Sequence, residues 1–225
     1  MTVLHLADET EAADLAAFLS RLLHYDRGAA VRLQAAGTAL AVFGRPPSFE
    51  VLAVRAVRLA KPYEDGLAVT LDVTVSAGQF LESVDERAAT ADVPAAVTGP
   101  PWAGVLPPRG GWQTEPGLPA PDALRATVAA AVTEFRSRTE ELGPQGRTRA
   151  ELDRIGRDIW SREIGRTGLP VRAVHAAQSL GFLRPGGDPA DTVLFSSGAW
   201  LRLRTPYGSV VVRRSGLGSL GVSVR

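Results

Sequence analysis

Cysteine is absent from the 225-residue chain, which excludes a disulfide framework, thiolate zinc sites and thiol catalysis together. Histidine occurs three times, at His5, His24 and His175. These lie in separate elements without a spaced pair, whereas a catalytic zinc takes three protein ligands. Lysine occurs once, at Lys61, so every other one of the 25 basic residues is arginine. Long apolar runs are also missing, since none approaches the roughly 20 residues needed to span a bilayer. The segment Met1 to Glu9 has neither the basic start nor the apolar stretch of a signal peptide. These absences lead to the expectation of a cytoplasmic protein with no membrane partner. Aromatic residues make up only 6% of the chain, so two tryptophans close together in one stretch, Trp102 and Trp112, stand out.

What is present gives an α+β pattern. Asp8 with Glu11 forms a capping box for a helix whose apolar face is Leu15, Phe18, Leu19, Leu22 and Leu23. Strand signals follow: Val31 and Leu33, a turn at Ala36-Gly37, Ala39 to Phe43, and Val51 to Leu59. The cleanest is Leu67, Val69, Leu71, Val73 and Val75, whose period of two predicts one buried and one wet face and hence an antiparallel sheet. Ser76 with Gln79 opens a second helix carrying Phe80, Leu81 and Val84. Three helices are predicted after residue 121: Asp122 to Leu142, a capped helix from Thr148 carrying Leu152, Ile155, Ile159 and Trp160, and one from Pro170 to Leu180. Strands Val193–Phe195, Trp200–Arg204 and Ser209–Arg213 close the chain. Residues 36–55 echo residues 197–213 in strand-turn-strand layout, as two ordinary hairpins would. The expected organisation is an N-terminal antiparallel sheet with flanking helices over 1–98, a Pro/Gly/Trp connector over 99–121, and a helical part with a β-hairpin, winged-helix-like, over 122–225.

Residues 94–121 hold eight of the sixteen prolines. Proline fixes φ and removes a donor, so this stretch is extended rather than a helix or a central strand. Trp102 and Trp112 predict that it is pinned against a domain. Trp102, Arg109 and Trp112 are the residue types that dominate binding surfaces, while a rigid strap whose rings fill grooves would use the same tryptophans. The arginine- and alanine-rich texture, together with the stretch Trp102 to Trp112, resembles uncharacterised actinobacterial proteins of high-GC genomes. That resemblance implies no activity.

Charge is unevenly distributed. Residues 1–145 hold 12 basic against 18 acidic side chains, and residues 146–225 hold 13 against 6. The net charge of +1 therefore hides an acidic first part and a basic second part, with five arginines and no acid over 198–225. Such a pattern suggests an acidic partner, either nucleic acid or a protein surface. It fits equally well a basic part docked on the protein's own acidic part, or an oligomer that pairs the two signs. In the winged-helix arrangement Arg166 and Arg172 lie near a recognition helix and Arg202, Arg204, Arg213 and Arg214 on the wing. The mixed-sign helix at 148–164 weakens the nucleic-acid reading, because its acids cancel its own field.

Nothing assigns a catalytic residue, a metal or a cofactor. Gly216-Leu217-Gly218-Ser219-Leu220-Gly221 fits G-x-G-x-x-G, but only four residues follow, leaving no helix for a pyrophosphate and no acid about 20 residues on. Ser196-Ser197-Gly198 lacks the strand-elbow-helix setting of a hydrolase nucleophile. The sequence therefore favours a non-enzymatic binding or regulatory protein. An enzyme or small-molecule binder with a site between the two parts is one alternative, and an oligomerising scaffold is another.

Overall fold

The Asp8 carboxylate accepts a hydrogen bond from the Glu11 amide at 2.8 Å, satisfying a donor that every helix start leaves unpaired. Ser76 and Thr148 cap in the same way, accepting from the amides of Gln79 and Glu151. The computed structural model describes residues 2–62, 71–186 and 188–214. Its first half runs β1 (Val3–His5), α1 (Glu9–Tyr25), β2 (Ala30–Ala36), β3 (Ala39–Gly44), β4 (Leu52–Arg58), β5 (Leu71–Ser76), α2 (Ala77–Glu82), β6 (Val84–Asp85) and β7 (Thr90–Asp92). The second half adds β8 (Gln113–Glu115), α3 (Pro121–Glu141), α4 (Gly143–Gly146), α5 (Arg149–Trp160), α6 (Val171–Ser179), β9 (Val193–Ser197), β10 (Trp200–Thr205) and β11 (Gly208–Arg213).

The architecture is mixed α+β. Eight strands from both halves form one antiparallel sheet in the order β5-β2-β3-β4-β11-β10-β9-β8. The halves meet where β4 pairs β11, with Val54 opposite Ser209 and Leu52 opposite Val211. On either side of this seam stand three consecutive strands preceded by a helix, α1 in one half and α6 in the other. The echo between residues 36–55 and 197–213 thus corresponds to two hairpins laid side by side in one sheet. A small sheet, β1-β7-β6, completes the first half.

Strand alternation sorts the side chains onto two faces. One face carries Val31, Leu33, Leu40, Val42, Leu201, Leu203, Val210 and Val212, all buried beneath the helices in a single core that extends from Leu4 to Val212. Full burial of each such side chain contributes about 1.5–3 kcal/mol. Phe18 of α1 stacks on Phe182, which follows α6, with ring centroids 5.5 Å apart. Gly208 makes room for that ring, since a Cβ there would sit 2.6 Å from the Phe182 Cε1. Arg55 also points inward, only 5% exposed. It donates to Glu11 at 2.9 Å and to the Tyr207 carbonyl at 2.8 Å.

Two expectations change. The helix after Ser76 stops at Glu82, and Val84 instead pairs with Ala91 in the small sheet. The hairpin β10–β11 is not a projecting wing, because β9 bonds one side of it and β4 the other. A hairpin's own sequence specifies the pairing of its two strands with each other but not what meets their outer edges. Of the long alternating strand, Leu67 and Val69 lie outside the described residues, and Leu71–Ser76 forms β5.

A strapped, arginine-bearing sheet face

The other face of the sheet is apolar in the middle and cationic at the sides. Across the seam, Phe43, Leu52, Val54 and Val211 form a second buried cluster, with Ala41, Trp102, Leu106, Trp112 and Trp200 packed on it. The covering side chains come mostly from the proline-rich connector, which crosses the face as a strap. It leaves the β5 edge, where Ala96 bridges Val75, and makes a short 3-10 turn at Pro101–Gly104. It reaches the opposite edge as β8, where Gln113 lies opposite Ser196 of β9. Arg32 of β2 donates to the Ala103 carbonyl, and the Trp112 indole donates back to the Pro108 carbonyl at 3.0 Å. Fixed proline φ angles, two anchoring rings and these hydrogen bonds hold the strap extended.

The strap leaves a hollow on each side. One cleft, of about 550 Å3, is lined by Arg32, Asp72, Arg109, Trp112 and Arg202 over a floor that includes Ala41 and Val54. The other, of about 380 Å3, is lined by Arg45, Arg172, Arg213, Trp102 and Trp200. In the first cleft Arg32 clasps both carboxylate oxygens of Asp72, at 2.7 and 2.8 Å, and Gln34 donates to the same group at 3.0 Å. The Arg32 hydrogen bonds, more than the Coulomb attraction, hold the Asp72 carboxyl below its ordinary range.

Six of the nine residues singled out by sequence line the two clefts: Arg109, Trp112 and Arg202 the first, Trp102, Arg172 and Arg213 the second. Arg202 is half-buried and donates from Nε to Ser209 Oγ at 3.1 Å. Burial, and secondarily the neighbouring Arg204, pushes its pKa below the usual arginine value. Three of the arginines singled out by sequence sit against rings: Arg202 5.9 Å from the Trp112 centroid, Arg204 4.9 Å from Phe195 and Arg213 4.8 Å from Trp200. Among the described residues none of these three forms an ion pair. Arg214 differs, since it pairs with Glu115. Hydrogen bonds from Ser196 first and Arg214 second hold that carboxyl below its ordinary range. Arg172 stands 3.8 Å from Glu50, and Arg166 is exposed and lines neither cleft.

Part of the basic second half does dock on the acidic first half. Arg184 reaches Asp14 of α1 at 2.7 Å while covering the Tyr207 ring at 3.7 Å. His175 lies inside an aromatic stack, 4.8 Å from Trp160 and 5.1 Å from Phe49 between ring centroids. Burial lowers its pKa. The glycine motif at 216–221 lies outside the described residues. Sequence reasoning missed Arg32, Gln34 and Asp72. The wet parity of β2 and β5 marks them as facing away from the core, but nothing local shows that a strap returns over them.

Fold and face together define an α+β protein with a strapped, cationic sheet surface. Residues 1–104 match the family described as Domain of unknown function (DUF8010), and residues 107–217 match the Domain of unknown function (DUF8185). The two matches meet in the middle of the strap. No curated protein matches the chain. Among the described residues, no helix is long and apolar enough to cross a membrane.

Proposed function

We propose that the protein is a non-enzymatic binding protein that engages an acidic partner through the strapped face of its sheet, with single-stranded nucleic acid as the favoured partner. The observation that carries this reading is the set Arg202, Arg204 and Arg213. These arginines lie on adjacent strands, each against an aromatic ring, and none has a carboxylate partner among the described residues. Charge combined with ring faces is what a strand of stacked bases and phosphates meets in sequence-tolerant binding. Arg184, Arg172 and Arg214 support the same choice by contrast, since these three are already matched to acids.

The test is fluorescence anisotropy with labelled single-stranded RNA and DNA across a salt series. Affinity should fall with salt, with a slope of about −0.7 per neutralised phosphate. The double variant Arg204→Ala/Arg213→Ala should weaken binding by roughly tenfold, as the loss of two phosphate contacts would. No binding to either nucleic acid at low salt removes this choice of partner. Binding of polyglutamate under the same conditions would instead select an acidic protein surface.

A further inference from the structure

The cleft beside Arg202 has features that an extended polyanion does not need. We propose that it is a binding site for a small amphipathic anion, a carboxylate or phosphate carried on an apolar body of ring size. This inference shares Arg202 with the nucleic-acid reading but makes no use of exposed Arg204 and Arg213.

Three observations carry it. First, the hollow is built in: Ala39, Ala41 and Ala56 present only methyl groups beneath it, beside the bulkier Phe43, Val54 and Val211. Its volume of about 550 Å3 lies in the range of small-molecule sites, roughly 300–1,000 Å3. Second, the wall is rigid. Pro107 and Pro108 fix the strap, and Trp112 is tied to Pro108 through its indole. A site with little to reorganise loses little free energy in ordering on binding.

Third, the charges are not equivalent. Arg32, Asp72 and Gln34 satisfy one another and tether the strap through Ala103, so this end is electrostatically closed. Arg202, by contrast, has one hydrogen bond among the described residues, to the neutral Ser209 hydroxyl. A half-buried cation with no carboxylate partner among the described residues is unfavourable alone and favourable beside an anion. A neutral apolar molecule would fill the floor and leave Arg202 unmatched. A ligand with its anionic group at Arg202 and its body over Ala41 and Val54, against Trp112, satisfies both. Arg109 at the rim adds a second positive charge that favours entry of anions.

The experiment titrates the full chain with 2-naphthoate, 2-naphthyl phosphate and the neutral 2-naphthamide, read by calorimetry. Both anions should bind, and the amide on the order of tenfold more weakly, the gap a charge-assisted hydrogen bond gives. Arg202→Met should reduce anion affinity to the level of the amide while leaving the amide unchanged. Ala41→Leu, which fills the floor and keeps the charge, should weaken all three, and thermal melts establish that both variants fold. The tighter anion distinguishes carboxylate from phosphate. Equal binding of anions and amide, indifference to Arg202→Met, or no binding of any probe would overturn the proposal. The Arg204→Ala/Arg213→Ala variant should leave naphthoate binding intact, so either reading can fail without the other.

Discussion

Two arginines on strands separated by β11 show how burial and charge separate structure from recognition. Arg55 of β4 faces the helices and meets Glu11 at 2.9 Å and Asp14 at 3.4 Å. Arg202 of β10 faces the strap and meets a ring and a hydroxyl. Removing one member of a buried, hydrogen-bonded pair leaves the other charge uncompensated, so Arg55→Met should destabilise the protein by about 3 kcal/mol. Arg58 on Glu11 and Arg184 on Asp14 keep the loss from being larger. Urea denaturation would show this as a lower midpoint with an unchanged slope. The distinction was partly legible in the sequence. Arg55 shares its parity with Ala53 and Val57, which places it on the inner face, while Arg202 opposes Leu201 and Leu203. The carboxylates that meet Arg55 lie over 40 residues away, and no local pattern links them to it.

At the scale of elements, local chemistry is readable and distant pairing is not. Three capping boxes, the period of two in β2 and β5, and the extended strap follow from side chains a few residues apart. The small sheet escaped because β1, β6 and β7 have two or three residues each, too few to show a period. Local pattern also does not show that β4, far upstream, meets the outer edge of β11. Helix α6 carries a testable property of its own. His175 sits between Trp160 and Phe49, and burial holds its pKa below the ordinary value of 6.5. The unfolded chain therefore takes up the proton first as pH falls. Stability from this site is complete above about pH 6.5 and is lost as pH drops through the lower folded value. Denaturant midpoints should fall over that window in the wild type and stay flatter in His175→Phe. Equal slopes in the two proteins would show that His175 is not the titrating group. Loss of the Asp72–Arg32 pair belongs to a separate and more acidic window, because the Asp72 carboxyl is held below 3.8.

Across the whole molecule, the strap that suggests a boundary in the sequence is stitched to a sheet that has none. The core extends from Leu4 to Val212, and β4 and β11 bond across the middle of the sheet. Unfolding should accordingly be a single transition in which far-UV dichroism and tryptophan emission coincide. Two separated transitions would mean that the halves are stable apart. The proline run could announce the connector but not its path, since crossing the face depends on contacts with Phe43, Val54 and Arg32, all at least 45 residues upstream of Gly99.

The seam has a further meaning for how such a protein can be encoded. The two family matches meet at residues 104 and 107, halfway along the strap, whereas the strands they contribute meet at Leu52–Val54 and Ser209–Val211. A polypeptide carrying only one match would end its sheet on β4 or β11, strands buried along most of their length and ill-suited to be bare edges. Each would be completed by the other through strand addition. Splitting the gene at the strap would therefore turn an internal seam into a subunit interface, and the cationic face would exist only in the assembled pair.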